Sequence, residues 1–110
     1  MPTTAPIIVL YLEHDKDSCE MLFTLLGYDR INVVCANDAE KVAFVAQTSR
    51  VDLFLLADKF DDMSATNLCR TLRTNFPNKP IIFYSASARG LDIQKGLAAG
   101  ADAYLLKPDS

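Results

Sequence analysis

Short apolar runs alternate along the chain with segments whose apolar positions recur every three or four residues. Ile7-Ile-Val-Leu-Tyr-Leu12 is the longest uninterrupted apolar run. It is rich in β-branched and aliphatic residues and too short for an independent helix, so it predicts a strand buried on both faces. Asp17-Ser-Cys-Glu20 follows, an acid with a second carboxylate three residues on. It predicts a helix cap, with Leu22, Leu25 and Leu26 as the apolar stripe and Gly27 as the stop. Ile31 to Ala36 is the second predicted strand. Asn37-Asp-Ala-Glu40 repeats the cap signature, and Ala39, Val42, Ala43 and Ala46 then fall at i, i+3, i+4 and i+7.

The same alternation continues to the end. Val51 to Ala57 predicts a third strand, and Ser64 opens a helix carrying Leu68, Cys69 and Leu72 that closes before Pro77. Pro80, tolerated at the first residue of a strand, leads into Ile81 to Ser85. A small-residue helix from Arg89 to Ala99 stops at Gly100, and Ala101 to Leu106 predicts the fifth strand. Five strands and four helices in strict alternation imply an α/β fold with a parallel sheet. No repeat or linker divides it, so a single domain over residues 7–110 is expected, after a disordered tail over 1–6.

Composition narrows the function. Half of the 110 residues are hydrophobic, enough for one core, and no apolar run can span a bilayer. Met-Pro-Thr-Thr-Ala-Pro carries no positive charge and leads into no signal-peptide region, so a cytoplasmic protein is expected. Fourteen acids against eleven bases give a net charge of -3, which argues against a sequence-independent hold on nucleic acid. Cys19, Cys35 and Cys69 are odd in number and set among apolar residues, as buried small hydrophobes are.

Sites in such folds lie at the carboxyl ends of the strands, here Glu13-His14-Asp15, Ala57-Asp58, Ser85-Ala86 and Lys107-Pro108. Glu13 to Ser18 holds no glycine, so a dinucleotide turn is excluded. With glycines only at 27, 90, 96 and 100, a phosphate loop is excluded too. His14 is the sole histidine and no Gly-x-Ser-x-Gly elbow surrounds Ser85, which argues against a nucleophilic triad.

At these strand ends the chain resembles the receiver domain of bacterial response regulators. The matching segments are Val9 to Asp17, Val51 to Leu56, Met63-Ser-Ala65, Pro80 to Ala86 and Ala99 to Pro108. The resemblance implies a flavodoxin-like doubly wound sheet of order 2-1-3-4-5, normally with five helices, the fifth of which is absent here. It also implies a pocket with an acidic pair, an aspartate that accepts a phosphoryl group, a Ser or Thr, a Lys, and a Mg²⁺ ion among the carboxylates. Ser85 and Lys107 match, and Tyr104 stands where the family has an aromatic that moves on activation. The acidic pair becomes Glu13-His14 and the acceptor position holds Ala57, which has no oxygen to phosphorylate.

Mg²⁺ wants hard oxygen ligands, and an imidazole with a methyl group cannot replace two carboxylates. Lys107 is therefore expected to pair with Glu13, the only retained acidic position. Asp58 is the fallback acceptor, but a shift of one residue along a strand turns its side chain to the other face. Asp61 and Asp62 read as loop acids. The expected function is a receiver-like module that works without phosphorylation, through protein–protein interaction, with no catalysis, cofactor or resident metal. The alternatives are a working phosphorelay receiver using Asp58 and Mg²⁺, and a small-anion sensor in the altered pocket.

Two features point to a partner. Phe44 lies off the buried stripe of its helix and is expected to be exposed. An absent helix with about four core-facing side chains forgoes roughly 6 to 12 kcal/mol of gross burial. Either another chain, such as a second copy in a homodimer, covers that face, or the sequence is part of a longer one.

Overall fold

A computed structural model describes residues 5–27, 30–57, 63–86 and 90–108, the side chains of residues 63, 64 and 91 excepted. The elements follow in strict alternation: β1 (Ile7–Leu12), α1 (Lys16–Leu26), β2 (Ile31–Ala36), α2 (Ala39–Thr48), β3 (Leu53–Leu56), α3 (Met63–Asn75), β4 (Ile81–Ser85), α4 (Gly90–Ala98) and β5 (Ala103–Leu106). The five strands form one parallel sheet of order β2-β1-β3-β4-β5, the flavodoxin-like arrangement. Residues 1–4 of the expected tail lie outside the described residues. Pro6 is tied down, its carbonyl accepting from Arg50 Nη2 at 2.6 Å.

Strand alternation sorts the side chains between two layers. One face carries Leu10, Leu12, Phe54, Leu56, Ile81 and Phe83, packed against Val42 and Ala46 of α2 and Leu68, Cys69 and Leu72 of α3. α4 closes on this same face, where Gly96 approaches the Phe83 and Tyr104 rings so closely that an added Cβ would stand 2.9 and 3.1 Å from them. The other face carries Val9, Tyr11, Val33, Leu55 and Ala57, packed against Cys19 and Leu22 of α1. Among the described residues α1 is the only helix on that face, so Ile82 and Tyr84 are half-buried there and Leu105 is exposed.

Several element ends differ from the sequence-based expectation. α1 is capped at Asp15, not Asp17, because the turn before it is held by Glu13, whose Oε2 accepts the Asp15 N–H at 3.0 Å. Leu25, expected in the buried stripe, is exposed; among the described residues no helix or strand covers that side of α1. α2 is capped at Asp38, one residue after Asn37, with the Asp38 carboxylate accepting from the Lys41 N–H at 2.8 Å. α3 starts at Met63, one residue before Ser64, and α4 spans Gly90–Ala98, with Arg89 outside the described residues.

The third and fifth strands are shorter than expected, because an aspartate side chain stands at the start of each. Asp52 accepts the Ile8 N–H at 2.8 Å and pairs with Arg50; Asp102 accepts the Ile81 N–H at 2.9 Å and pairs with Arg73. The backbone N–H bond comes first in holding both carboxyls below their usual range. Arg73 also donates to the carbonyls of Gly100 and Lys79, at 2.9 and 2.8 Å, so it staples α3 to the turn before β5.

That turn depends on Gly100, whose φ of 116° is strained for any residue with a Cβ, and an added Cβ would meet the Arg73 stem at 3.1 Å. Gly100→Ala is expected to lower stability by about 1 to 2 kcal/mol. Urea unfolding monitored by circular dichroism reads this directly, and an unchanged midpoint would contradict it.

Candidate functional site

The carboxyl ends of β1, β3, β4 and β5 converge because the strands are parallel and adjacent in the order 1-3-4-5. The residues just past β1 and β5 are Glu13 and Lys107, and the two meet across the sheet. Lys107 Nζ donates to Glu13 Oε1 at 2.6 Å, with the Glu13 side chain fully buried and the Lys107 side chain 17% exposed. The Tyr11 hydroxyl donates to the same Oε1 at 3.0 Å, and the Asp15 N–H takes Oε2. Lys107 lies 5.8 Å over the Tyr84 ring, which packs 6.0 Å from that of Tyr11. The Lys107 N–H donates to the Ser85 carbonyl at 2.7 Å, which fixes the strand end carrying the lysine.

Burial pushes the Glu13 carboxyl up. Hydrogen bonds from Lys107, the Asp15 N–H and Tyr11, with the lysine's charge, more than offset it and hold the group below its ordinary value. The Tyr11 hydroxyl is raised well above its usual range, first by burial and then by the Glu13 charge. Glu13 is therefore ionised in the folded protein and Tyr11 neutral. A depressed carboxylate contributes its stability above the ordinary glutamate pKa and loses it as pH falls through the folded pKa.

The expected pairing of Lys107 with Glu13 is what the geometry gives. Ala57 is buried among Val9, Tyr11, Cys19, Leu22, Val33 and Leu55, and its N–H donates to the Leu12 carbonyl at 3.0 Å. Ser85 is buried at the end of β4, and His14 is exposed. Tyr104 is half-buried and stacked on Phe83, with centroids 5.7 Å apart and planes at 25°. Phe44 is 66% exposed. Asp58, Asp61 and Asp62 lie outside the described residues. Cys19 and Cys69 are buried and Cys35 is half-buried, all three as free thiols; burial and a hydrogen bond with Cys19 push the Cys35 thiol up to about 12.

The donor set among the described residues does not fit Mg²⁺. Among the described residues no group of three His, Cys, Asp or Glu side chains could hold a metal ion, and both oxygens of Glu13 are already engaged. A hard cation seeking six oxygens in octahedral geometry would compete there with the three hydrogen bonds that Glu13 already accepts. Sequence reasoning missed Tyr11 and Tyr84, which read as strand core. The signal for Tyr11 was present: residues 11 and 13 share a face by alternation, so a buried tyrosine stands beside a buried acid.

Residues 9–110 match the family model of the response regulator receiver domain. "Probable transcriptional regulatory protein TcrX" of Mycobacterium tuberculosis is 30% identical over 105 residues, covering 96% of this chain and 45% of that protein. The chain thus spans about half the length of this curated relative. A response regulator from Thermotoga maritima superposes with a TM-score of 0.86 at 24% identity, over 97% of this chain and 88% of that one. The receiver domain of Francisella response regulator 1452 gives 0.80 at 27% identity, over 94% and 86%.

The buried pair generates a direct expectation. Lys107→Met leaves the Glu13 charge without its counter-ion and is expected to destabilise the fold by about 3 kcal/mol at neutral pH. Adding Glu13→Gln should recover part of that loss. Equal stability of Lys107→Met and the parent in urea would contradict the assignment.

Proposed function

The chain belongs to the response regulator receiver domain family, and on that premise we propose that it is a phosphorylation-independent member that acts through protein–protein interaction. One observation supports this reading: Ala57, the residue this reading sets at the acceptor position, is buried among apolar side chains, and Lys107 is held by Glu13 at 2.6 Å. A methyl group offers no oxygen for phosphoryl transfer. A lysine already paired with a buried carboxylate stands in a fixed arrangement, so the pocket is locked in one state of the family's switch. Tyr104, stacked on Phe83 and close to Gly96, stands at the position of the family's switch aromatic.

The module is a signalling element and not an enzyme. No resident Mg²⁺ is proposed, because among the described residues the donors it would need are absent or engaged. Small-anion sensing is disfavoured for the same reason, since the Lys107 charge is already met by Glu13. Net charge of -3 supports a domain that makes no direct contact with nucleic acid, whatever the longer relatives do. Among the described residues no helix is long and apolar enough to cross a membrane, and a cytoplasmic site of action fits. The surface offered to a partner is Phe44 on α2.

Incubation with acetyl phosphate and Mg²⁺, followed by intact-mass measurement, is expected to give no phosphoryl adduct. One phosphoryl group that disappears in Asp58→Ala would overturn the proposal and identify Asp58 as the acceptor.

A further inference from the structure

β2 lies at the opposite edge of the sheet from β5, and among the described residues no strand pairs with its outer side. The hydrogen bonds at its two ends fix which backbone groups point outward. The Ile7 N–H donates to the Arg30 carbonyl and the Glu13 N–H to the Ala36 carbonyl, and the β1–β2 register runs unbroken between them. Residues 30, 32, 34 and 36 therefore turn their backbone groups toward β1. Ile31, Val33 and Cys35 turn theirs away from the sheet. Such an edge is a template for another strand unless something blunts it. Ile31-Asn-Val-Val-Cys-Ala36 carries no charge, no proline and no bulge.

Apolar side chains flank that edge on both faces of the sheet. Val34 shares one face with Ala36 and is 39% exposed. On the other face, Cys35 hydrogen-bonds with Cys19 of α1, and Phe23 follows Cys19 by one turn. Phe23 therefore stands on the β2 side of α1, where it is 45% exposed. A second copy answers this edge closely. The outward residues are spaced evenly about Val33, so two β2 strands can run antiparallel across a two-fold axis there. Val33 then faces Val33 and Ile31 faces Cys35, each pair exchanging both N–H···O bonds. Asn32 of each copy stands opposite Val34 of the other. Arg30 before the strand and Asp38 after it have opposite charges, so the antiparallel arrangement brings unlike ends together. Both are engaged within their own chain, so their charges set the direction of pairing and no new ion pair is required.

We propose that the chain forms a two-fold homodimer by antiparallel pairing of β2 edges centred on Val33, with Phe23 of each copy over the junction. The two sheets become one, and both α1 helices lie on the same face of it. Backbone bonds set the register, while Val34 and Phe23 supply the apolar area. The interface uses neither Ala57 nor the Glu13–Lys107 pair, so it goes beyond the phosphorylation-independent reading and stands apart from it.

The test is sedimentation velocity of the 110-residue chain over a concentration series, without any phosphoryl donor. It should show a monomer–dimer equilibrium. Amide hydrogen exchange read by NMR should slow roughly tenfold or more at Ile31, Val33 and Cys35 between dilute and concentrated protein. Val34→Lys should weaken the dimer roughly tenfold or more, since it places a charge on each edge. Adding Asn32→Asp should recover much of that loss, because positions 32 and 34 face each other across the axis. Phe23→Glu should weaken the dimer as well, and Phe44→Glu, on the exposed surface of α2, should leave it unchanged. Thermal melts of these surface variants verify folding. A chain that stays monomeric throughout, or a dimer insensitive to Val34→Lys, overturns the proposal. So does a dimer whose Ile31, Val33 and Cys35 amides exchange as they do in dilute protein, or one that Asn32→Asp fails to restore. None of these outcomes bears on the phosphorylation-independent reading, which the phosphoryl adduct alone decides.

Discussion

A fully buried glutamate is costly, and the end of this sheet is organised around keeping one there. Desolvating a carboxylate and an ammonium costs several kcal/mol per ion, which is recovered only when the geometry is good and the remaining hydrogen-bonding positions are filled. Glu13 meets those conditions with Lys107 and Tyr11 on one oxygen and the Asp15 N–H on the other. Each partner comes from a different requirement of the fold. Tyr11 is a core residue of β1, Asp15 is the cap of α1, and Lys107 ends β5, whose exit is tied to the Ser85 carbonyl. The ion pair therefore joins the end of β1 to the end of the edge strand β5 and sets where α1 begins.

The same pair explains why an alanine is tolerated at residue 57. The lysine is held by Glu13, and Ala57 contributes to an apolar cluster with Leu22 and Leu55. The opposite end of the sheet is held differently. There Asp52 and Asp102 each accept a neighbouring strand's N–H and pair with an arginine, so both ends are fixed by carboxylates that are hydrogen-bonded and ion-paired.

Much of this was legible before any coordinates. Runs such as Ile7 to Leu12 announce buried parallel strands, because both faces must be apolar. Simple charge bookkeeping anticipated the Glu13–Lys107 pair. What stayed hidden was long-range. The start of α1 moved to Asp15 because Glu13 reaches the Asp15 N–H, an interaction invisible to a local cap signature at Asp17. Leu25 fits the helical stripe but is exposed, since periodicity reports a helix face and not whether a neighbour stands beside it. Asp52 and Asp102 look like ordinary turn residues until the register shows which strand N–H each one meets.

The central claim is that Glu13 is ionised and held by Lys107, leaving the lysine committed within the fold. The most direct measurement is a carbon-detected NMR titration of the Glu13 carboxyl in the parent chain and in Lys107→Met. The account predicts a midpoint below the ordinary glutamate value of 4.5 in the parent, moving upward when the lysine is removed. A parent midpoint above that value, or one indifferent to Lys107, would contradict it.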